Sequence, residues 1–160
     1  MWIFYALALI VLSILLLHWL SYRLIKQSIL TSRTWDLNIC CGETDGGGIN
    51  ADIVPRSVDN FLEVDIYDLP FADKSLGAVL CSHTIEHVED PDAFYAELQR
   101  VGREVVVVIP PLWDLAAVFN VWEHRWIFLS LRKKHAVLPR RVALPLAKPI
   151  QEKFGQRINA

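Results

Sequence analysis

From Trp2 to Leu20 the chain is apolar at every position except Ser13 and His18. A run of about 20 residues with no polar stripe has the length of a helix crossing the ~30 Å hydrocarbon core and the all-round apolarity of one facing lipid. Beyond it, Ser21–Thr34 is polar, with Leu24, Ile25, Ile29 and Leu30 at helical spacing. This stretch reads as an extension of the first helix, an amphipathic stem on the membrane surface, or a plain linker. From Asp36 the period changes. Short apolar runs split by turns predict strands at Leu37–Cys40, Ile49–Val54, Phe61–Asp65, Leu76–Ser82 and Glu104–Ile109. The last of these is an unbroken β-branched run, the pattern of a strand buried on both faces. Between the fourth and fifth strands, Asp90-Pro91-Asp92 supplies a cap and an early proline. Ala93, Phe94, Leu98 and Val101 form an inner stripe, and Gly102 is the stop. Strand, helix, β-branched strand is the order of a parallel α/β sheet.

The links between the early strands are short: Cys41–Gly48 after the first and Pro55–Asn60 after the second. Parallel neighbours are usually joined through a helix, and these links can return only as loops. One face of the sheet therefore lacks its usual cover. The stem, the C-terminal segment, a second copy of the chain in a homo-oligomer, or the membrane must supply it. The aromatic segment Leu112–Leu131, with Trp113, Phe119, Trp122, Trp126 and Phe128, is a candidate for that cover. It could equally be a lid over an acceptor pocket or a contact at headgroup depth.

The hydrophobic fraction of 53% and the mean hydropathy of +0.30 are high for a soluble chain, and most of the excess lies in the first run. Arg23, Lys26 and Arg33 follow that run, and nothing basic except the amino terminus precedes it. The positive-inside rule then puts the N-terminus outside and the remainder in the cytoplasm. A cleaved signal peptide would need a basic leading region and a small-residue cleavage site, and neither is present. Charge is uneven: Asp36–Glu123 carries 17 acids and four bases, whereas Arg125–Ala160 carries nine bases and one acid, Glu152. The basic end suits an anionic cytoplasmic leaflet better than nucleic acid, because the anchor already holds it at a membrane. The expected organisation is an anchor at 1–22, a stem at 23–34, an α/β domain at 35–131 and a basic tail at 132–160.

Cys40, Cys41 and Cys81 form no disulfide framework and suit a reducing compartment. Two segments could carry chemistry. In Trp35–Ile53 a glycine-rich turn, which lets a ligand approach the backbone, is followed by a strand with Asp52 near its end. A carboxylate there can accept from both hydroxyls of a ribose. In His83-Thr84-Ile85-Glu86-His87 the spacing matches a zinc-peptidase pattern, with two histidines as ligands and Glu86 as base. That pattern needs a long helix and a further acidic ligand downstream. Here it follows a buried strand directly, so zinc hydrolysis is the least favoured reading and no metal ligands are assigned.

Leu37–Ile53 followed by Val64–Val101, with its Leu69-Pro70-Phe71 and Glu86-His87, resembles the class I S-adenosylmethionine-dependent methyltransferases, and more narrowly the type 11 domain. The resemblance runs from about Leu37 to Pro110, with a weaker echo at Glu123-His124-Arg125-Trp126. It implies a minimal Rossmann-like, doubly wound, mostly parallel sheet behind an N-terminal transmembrane helix, with S-adenosylmethionine as cofactor. It also implies site roles. Cys40, Cys41 and Gly42 would underlie the methionine part and Asp52 would hold the ribose. Asp65 and Ile66 would take the adenine. Ser82 and His83 would lie near the sulfonium, and His83 and His87 are the candidate catalytic groups. Two departures stand out. Cys40 replaces a glycine of the family turn, and the chain ends soon after the fifth strand, so the final antiparallel hairpin is expected to be missing. The implied activity is methyl transfer to a small, membrane-associated acceptor. The alternative is a degenerate, tethered interaction domain.

Overall fold

The computed structural model describes residues 1–157; residues 158–160, the end of the segment read as a basic tail, lie outside the described residues. The chain begins as one continuous helix from Trp2 to Leu30. It is α-helical over Trp2–Trp19 (α1), π-helical over Leu20–Lys26 and α-helical again over Gln27–Leu30 (α2). The first turns of α1 stand clear of the rest of the chain, and burial begins at Ser21. The stem is thus a helix end docked into the domain.

Five parallel strands follow: β1 (Leu37–Ile39), β2 (Ile49–Asp52), β3 (Phe61–Glu63), β4 (Leu76–Ser82) and β5 (Gly102–Val108). Between β4 and β5 lies α3 (Pro91–Val101), where the Asp90 carboxylate accepts from the N–H groups of Asp92 and Ala93. Next come a short α4 (Leu115–Val118) and the strands β6 (Trp126–Phe128), β7 (Lys134–His135) and β8 (Arg141–Ala143). The last helix is α5 (Ala147–Phe154). The main sheet runs β3-β2-β1-β4-β5-β7, and β6 pairs with β8 in a separate ribbon. This is the parallel α/β sheet that the alternation of periods predicts and the doubly wound, mostly parallel Rossmann-like architecture that the resemblance implies.

Alternation along the strands sorts the core into two faces. Leu37, Ile39, Val79, Cys81, Val105 and Val107 point to the face covered by Phe94, Leu98 and Val101 of α3 and by Phe128 of β6. Ala78, Leu80, Val106 and Val108 point the other way and meet Ile29, Leu30 and Trp35. The end of the apolar N-terminal helix therefore covers the face that the short links leave bare. The indole Nε1–H of Trp35 donates to the Leu30 carbonyl at 2.9 Å and pins the helix end there. Farther along that face the sheet is polar: Asn38 and Asn50 are buried, joined side chain to side chain at 3.2 Å. The glycine-rich loop folds over them, with Gly46 N–H on Asn50 Oδ1 at 2.9 Å. A Cβ at Gly46 would come within 2.6 Å of Asn38 Cβ, and one at Gly48 would run into the Trp35 carbonyl oxygen. These glycines serve close packing on the sheet.

Three other expectations change. Ala93 is exposed, and Tyr95 takes its place on the inner side of α3, its hydroxyl donating to the Ala136 carbonyl at 2.7 Å. The aromatic segment does not form the cover: Phe128 packs on the α3 face, while Phe119 and Trp122 are exposed. Nor is the basic segment a free tail. β7 pairs antiparallel with β5, one short strand where a hairpin was expected to be missing, and β8 pairs with β6.

Candidate active site

All the parallel strands end on one side of the sheet, and a cavity of about 940 Å³ opens there. Such ends are where open α/β sheets bind ligands. Cys40, Cys41, Gly42, Asp52, Ile66, Ser82, His83 and His87 all line it. Asp65 does not. It is exposed, and its Oδ1 accepts from the Tyr67 N–H at 2.9 Å in a tight turn. Tyr67 lines the cavity in its stead. Gly46, Gly47 and Gly48 are also outside it, so the ligand-facing part of the loop is Cys40–Thr44.

Two non-glycine residues at adjacent strand ends hold left-handed backbone: Cys40 with φ 51° after β1 and His83 with φ 55° after β4. Such a conformation costs about 1–2 kcal/mol for a residue with a Cβ, and strain of this kind gathers at functional sites. Next to Cys40, Gly42 has φ 55° and its N–H donates to Asp52 Oδ2 at 3.1 Å. Asp52 is buried at 4% exposure. Its Oδ1 accepts from the Val54 N–H at 3.3 Å, and Arg56 Nε stands 3.5 Å from Oδ2. Sequence reasoning missed this guanidinium. Burial, with Asp52 close by, pushes the Cys40 thiol far above its usual range and the Cys41 thiol to about 11, so neither is a thiolate at neutral pH.

The far side of the cavity is histidine-rich. Burial pushes both His83 and His124 down to about 4, so both are neutral at pH 7. The rings of His87 and His124 meet edge to face at 4.7 Å between centroids. Residues 83–87 form a turn, so the two histidines of the peptidase-like pattern do not share a helix face. His124 was legible only as part of the weak echo near Trp126. α5 and the segment after it brace this corner: Gln156 Nε2 donates to the His87 carbonyl at 3.0 Å, and Gln151 Nε2 of α5 to the His124 carbonyl at 2.9 Å.

The remaining wall comes from the apolar N-terminal helix. His18, Tyr22, Lys26 and Leu30 line the cavity, and the Tyr22 ring lies 6.0 Å from that of His83. The helix is held by two polar contacts that no sequence pattern announced. His18 Nδ1 stands 2.9 Å from Asp114 Oδ1, and Lys133 Nζ donates to Ser21 Oγ at 2.6 Å. Desolvation lowers the Lys133 amine to about 8.

Residues 48–108, from the edge of β2 to the end of β5, match the family model described as a methyltransferase domain. Among solved structures the chain is similar to one from the "complex between the Haloferax volcanii Trm112 methyltransferase activator and the putative methyltransferase". The identity is 21% and the TM-score 0.39, over 46% of this chain and 43% of that one. This chain thus spans less than half of that protein's length. No match was found among curated proteins.

Proposed function

The chain carries a class I methyltransferase domain, and from that premise we propose that it transfers a methyl group from S-adenosylmethionine to a small amphipathic acceptor drawn from a membrane. The observation that carries the proposal is the composition of the cavity wall: strand-end residues on one side, and His18, Tyr22 and Lys26 of the long apolar helix on another. An acceptor entering along that helix would reach the cavity without leaving the bilayer surface.

The residues present fit the cofactor. A volume of about 940 Å³ lies within the range of cofactor pockets. Cys40 and Gly42 both take the left-handed backbone that lets a ligand lie against the turn. In this reading Cys40, Cys41 and Gly42 hold the methionine part. Asp52 takes the ribose hydroxyls through the lone pairs that Gly42 and Val54 leave free. Ile66 and Tyr67 flank the adenine, with Asp65 outside. Ser82 and His83 border the sulfonium. The cofactor supplies an activated methyl group, so the chain's task is to align the acceptor and keep water out. His83 and His87 stand where they can orient the acceptor.

The domain is proposed to be cytoplasmic, with α1 crossing the membrane N-terminus outward. The helix ahead of His18 spans only about 24 Å at 1.5 Å per residue, several ångströms short of the hydrocarbon core. Exposed Leu115, Phe119 and Trp122, on or beside α4 where it packs against α1, would then sit at headgroup depth.

Calorimetry on the full-length protein in detergent, with S-adenosylmethionine and S-adenosylhomocysteine, tests the enzyme reading. Binding is expected, and Asp52→Ala should weaken it several-fold. No binding to the folded protein at ligand concentrations up to about a millimolar would overturn it. The Arg56 guanidinium beside Asp52 would then mark a tethered domain without cofactor. Protease accessibility in oriented vesicles tests the topology, with residues 31–157 expected on the cytoplasmic side.

A further inference from the structure

At one corner of the cavity, His87 and His124 line the wall and Glu86 lies buried behind it. Glu86 is 1% exposed, yet neither carboxylate oxygen receives a hydrogen bond. The nearest basic nitrogen, His83 Nδ1, stands 3.3 Å from Oε1 and is misaligned for a hydrogen bond. An ionised carboxylate buried without partners costs several kcal/mol, and a counter-ion is what such a place lacks. One donor atom each from Glu86, His87 and His124 lie within 4.8 Å of one another.

The ring tautomer of His87 is fixed in the sense a ligand needs. Its Nδ1 lies 3.1 Å from the Glu123 carbonyl oxygen, which can only accept, so Nδ1 carries the proton and Nε2 presents a lone pair. The frame is also set in advance. The N–H groups of Arg125 and Trp126 donate to the Glu86 carbonyl at 2.8 and 3.2 Å, tying the 86–87 turn to the segment that carries His124. Gln151 and Gln156 fix the histidine carbonyls from behind.

We propose that Glu86, His87 and His124 form a binding site for a divalent first-row transition-metal ion at the cavity wall. Two imidazoles and one carboxylate favour manganese, iron, cobalt, nickel or zinc over magnesium and calcium, which prefer all-oxygen shells. This is not the peptidase arrangement: Glu86 is a ligand instead of a base, and the third donor comes from the loop before β6. His83, whose Nε2 is buried and unpartnered, flanks the ion. The protein supplies three donors, which leaves positions toward the cavity. If the methyl-transfer reading holds, a hydroxyl acceptor can complete the shell there, and His87 acts as a ligand and not as a base. Metal binding itself does not depend on that reading.

The test uses full-length protein in detergent, stripped with chelator and reloaded with manganese or zinc. Elemental analysis should find one ion per chain. His87→Asn, His124→Ala and Glu86→Gln should each weaken binding by about tenfold or more, while His135→Ala, half-buried on β7, should not. Bound manganese should show nitrogen couplings in pulsed electron paramagnetic resonance of the unaltered chain, a readout that needs no variant to fold. The proposal is overturned if the folded chain takes up no stoichiometric ion, if uptake survives all three substitutions, or if the manganese signal lacks nitrogen couplings. Calorimetry with S-adenosylmethionine on the stripped protein runs alongside, so loss of cofactor binding and loss of metal binding are read separately.

Discussion

Leu30→Ala tests whether the end of the apolar N-terminal helix is part of the domain's core. Leu30 is buried against a cluster that includes Leu80, Val106 and Val108, on a face that no other helix covers among the described residues. The substitution removes three carbons at about 0.8 kcal/mol each and leaves a cavity, for about 3 kcal/mol in all. Whole domains have only about 5–15 kcal/mol, so the variant should fold but with much of its margin gone. Adding Ile29→Ala should leave the domain marginal. Hydrogen exchange read by mass spectrometry on the full chain in nanodiscs is the suitable assay, because detergent-stable α1 would mask unfolding in circular dichroism. Amides of Val105–Val108, in β5 between β4 and β7, should lose about two orders of magnitude of protection, since 1.36 kcal/mol is tenfold. Leu9→Ala, on the exposed part of α1, is the control and should change nothing. If protection at β5 in Leu30→Ala falls by less than about threefold, the range of ordinary surface substitutions, the helix end is not the sheet's cover.

Three further outcomes follow from the same contacts. Cys40→Gly should relieve the left-handed strain of about 1 kcal/mol and tighten S-adenosylmethionine binding, read by calorimetry; unchanged or weaker binding would count against the turn as cofactor cradle. Gly48→Ala should destabilise by about 3 kcal/mol in denaturant titration, because the added methyl meets backbone and not a movable side chain. Lys133 has its amine lowered to about 8 by desolvation from a usual 10.5. Below pH 8 it is charged in both states and the burial cost is fully present. Between 8 and 10.5 only the unfolded chain keeps the proton, so stability should rise with pH across that window. Lys133→Met should flatten the rise in melting temperature, and an equal rise in the variant would refute the assignment.

The parts of the fold visible in the sequence are those written in short-range periods. The strand at Leu76–Ser82 is found where expected, and α3 starts at its Asp90 cap and stops at Gly102. The missing cover on one face was also legible, because link length bounds what a connection can carry. Its supplier was not, since Ile29 and Leu30 meet Leu80 and Val106 only through the tertiary fold. The same holds for the site. Asp52, Gly42 and Ser82 sit at strand ends, so local pattern placed them at the cavity. Asp65 followed the pattern of its turn but points to solvent, where it stabilises that turn. Arg56 and His124 reach the cavity from irregular loops, which carry no period, while His18 is hidden inside a run whose composition speaks of lipid and Tyr22 lies just beyond that run.

That last point ties the apolar helix to the site. An anchor joined by a flexible stem could be exchanged for any other without touching the site. Here the helix runs unbroken from Trp2 to Leu30, and its inner end both seals the sheet and walls the cavity. Ser21 and His18 are held by Lys133 and Asp114, which belong to the far end of the chain. Removing 2–30 would therefore strip a core face, uncover the cavity and take from Lys133 and Asp114 their side-chain partners on the helix, whereas removing 2–16 would take away turns that are exposed except at half-buried Ile14. The shorter deletion should yield a soluble, folded protein that keeps its ligand affinity; the longer one should not fold. A fully folded 31–160 fragment with unchanged affinity would show that anchor and site are separable after all.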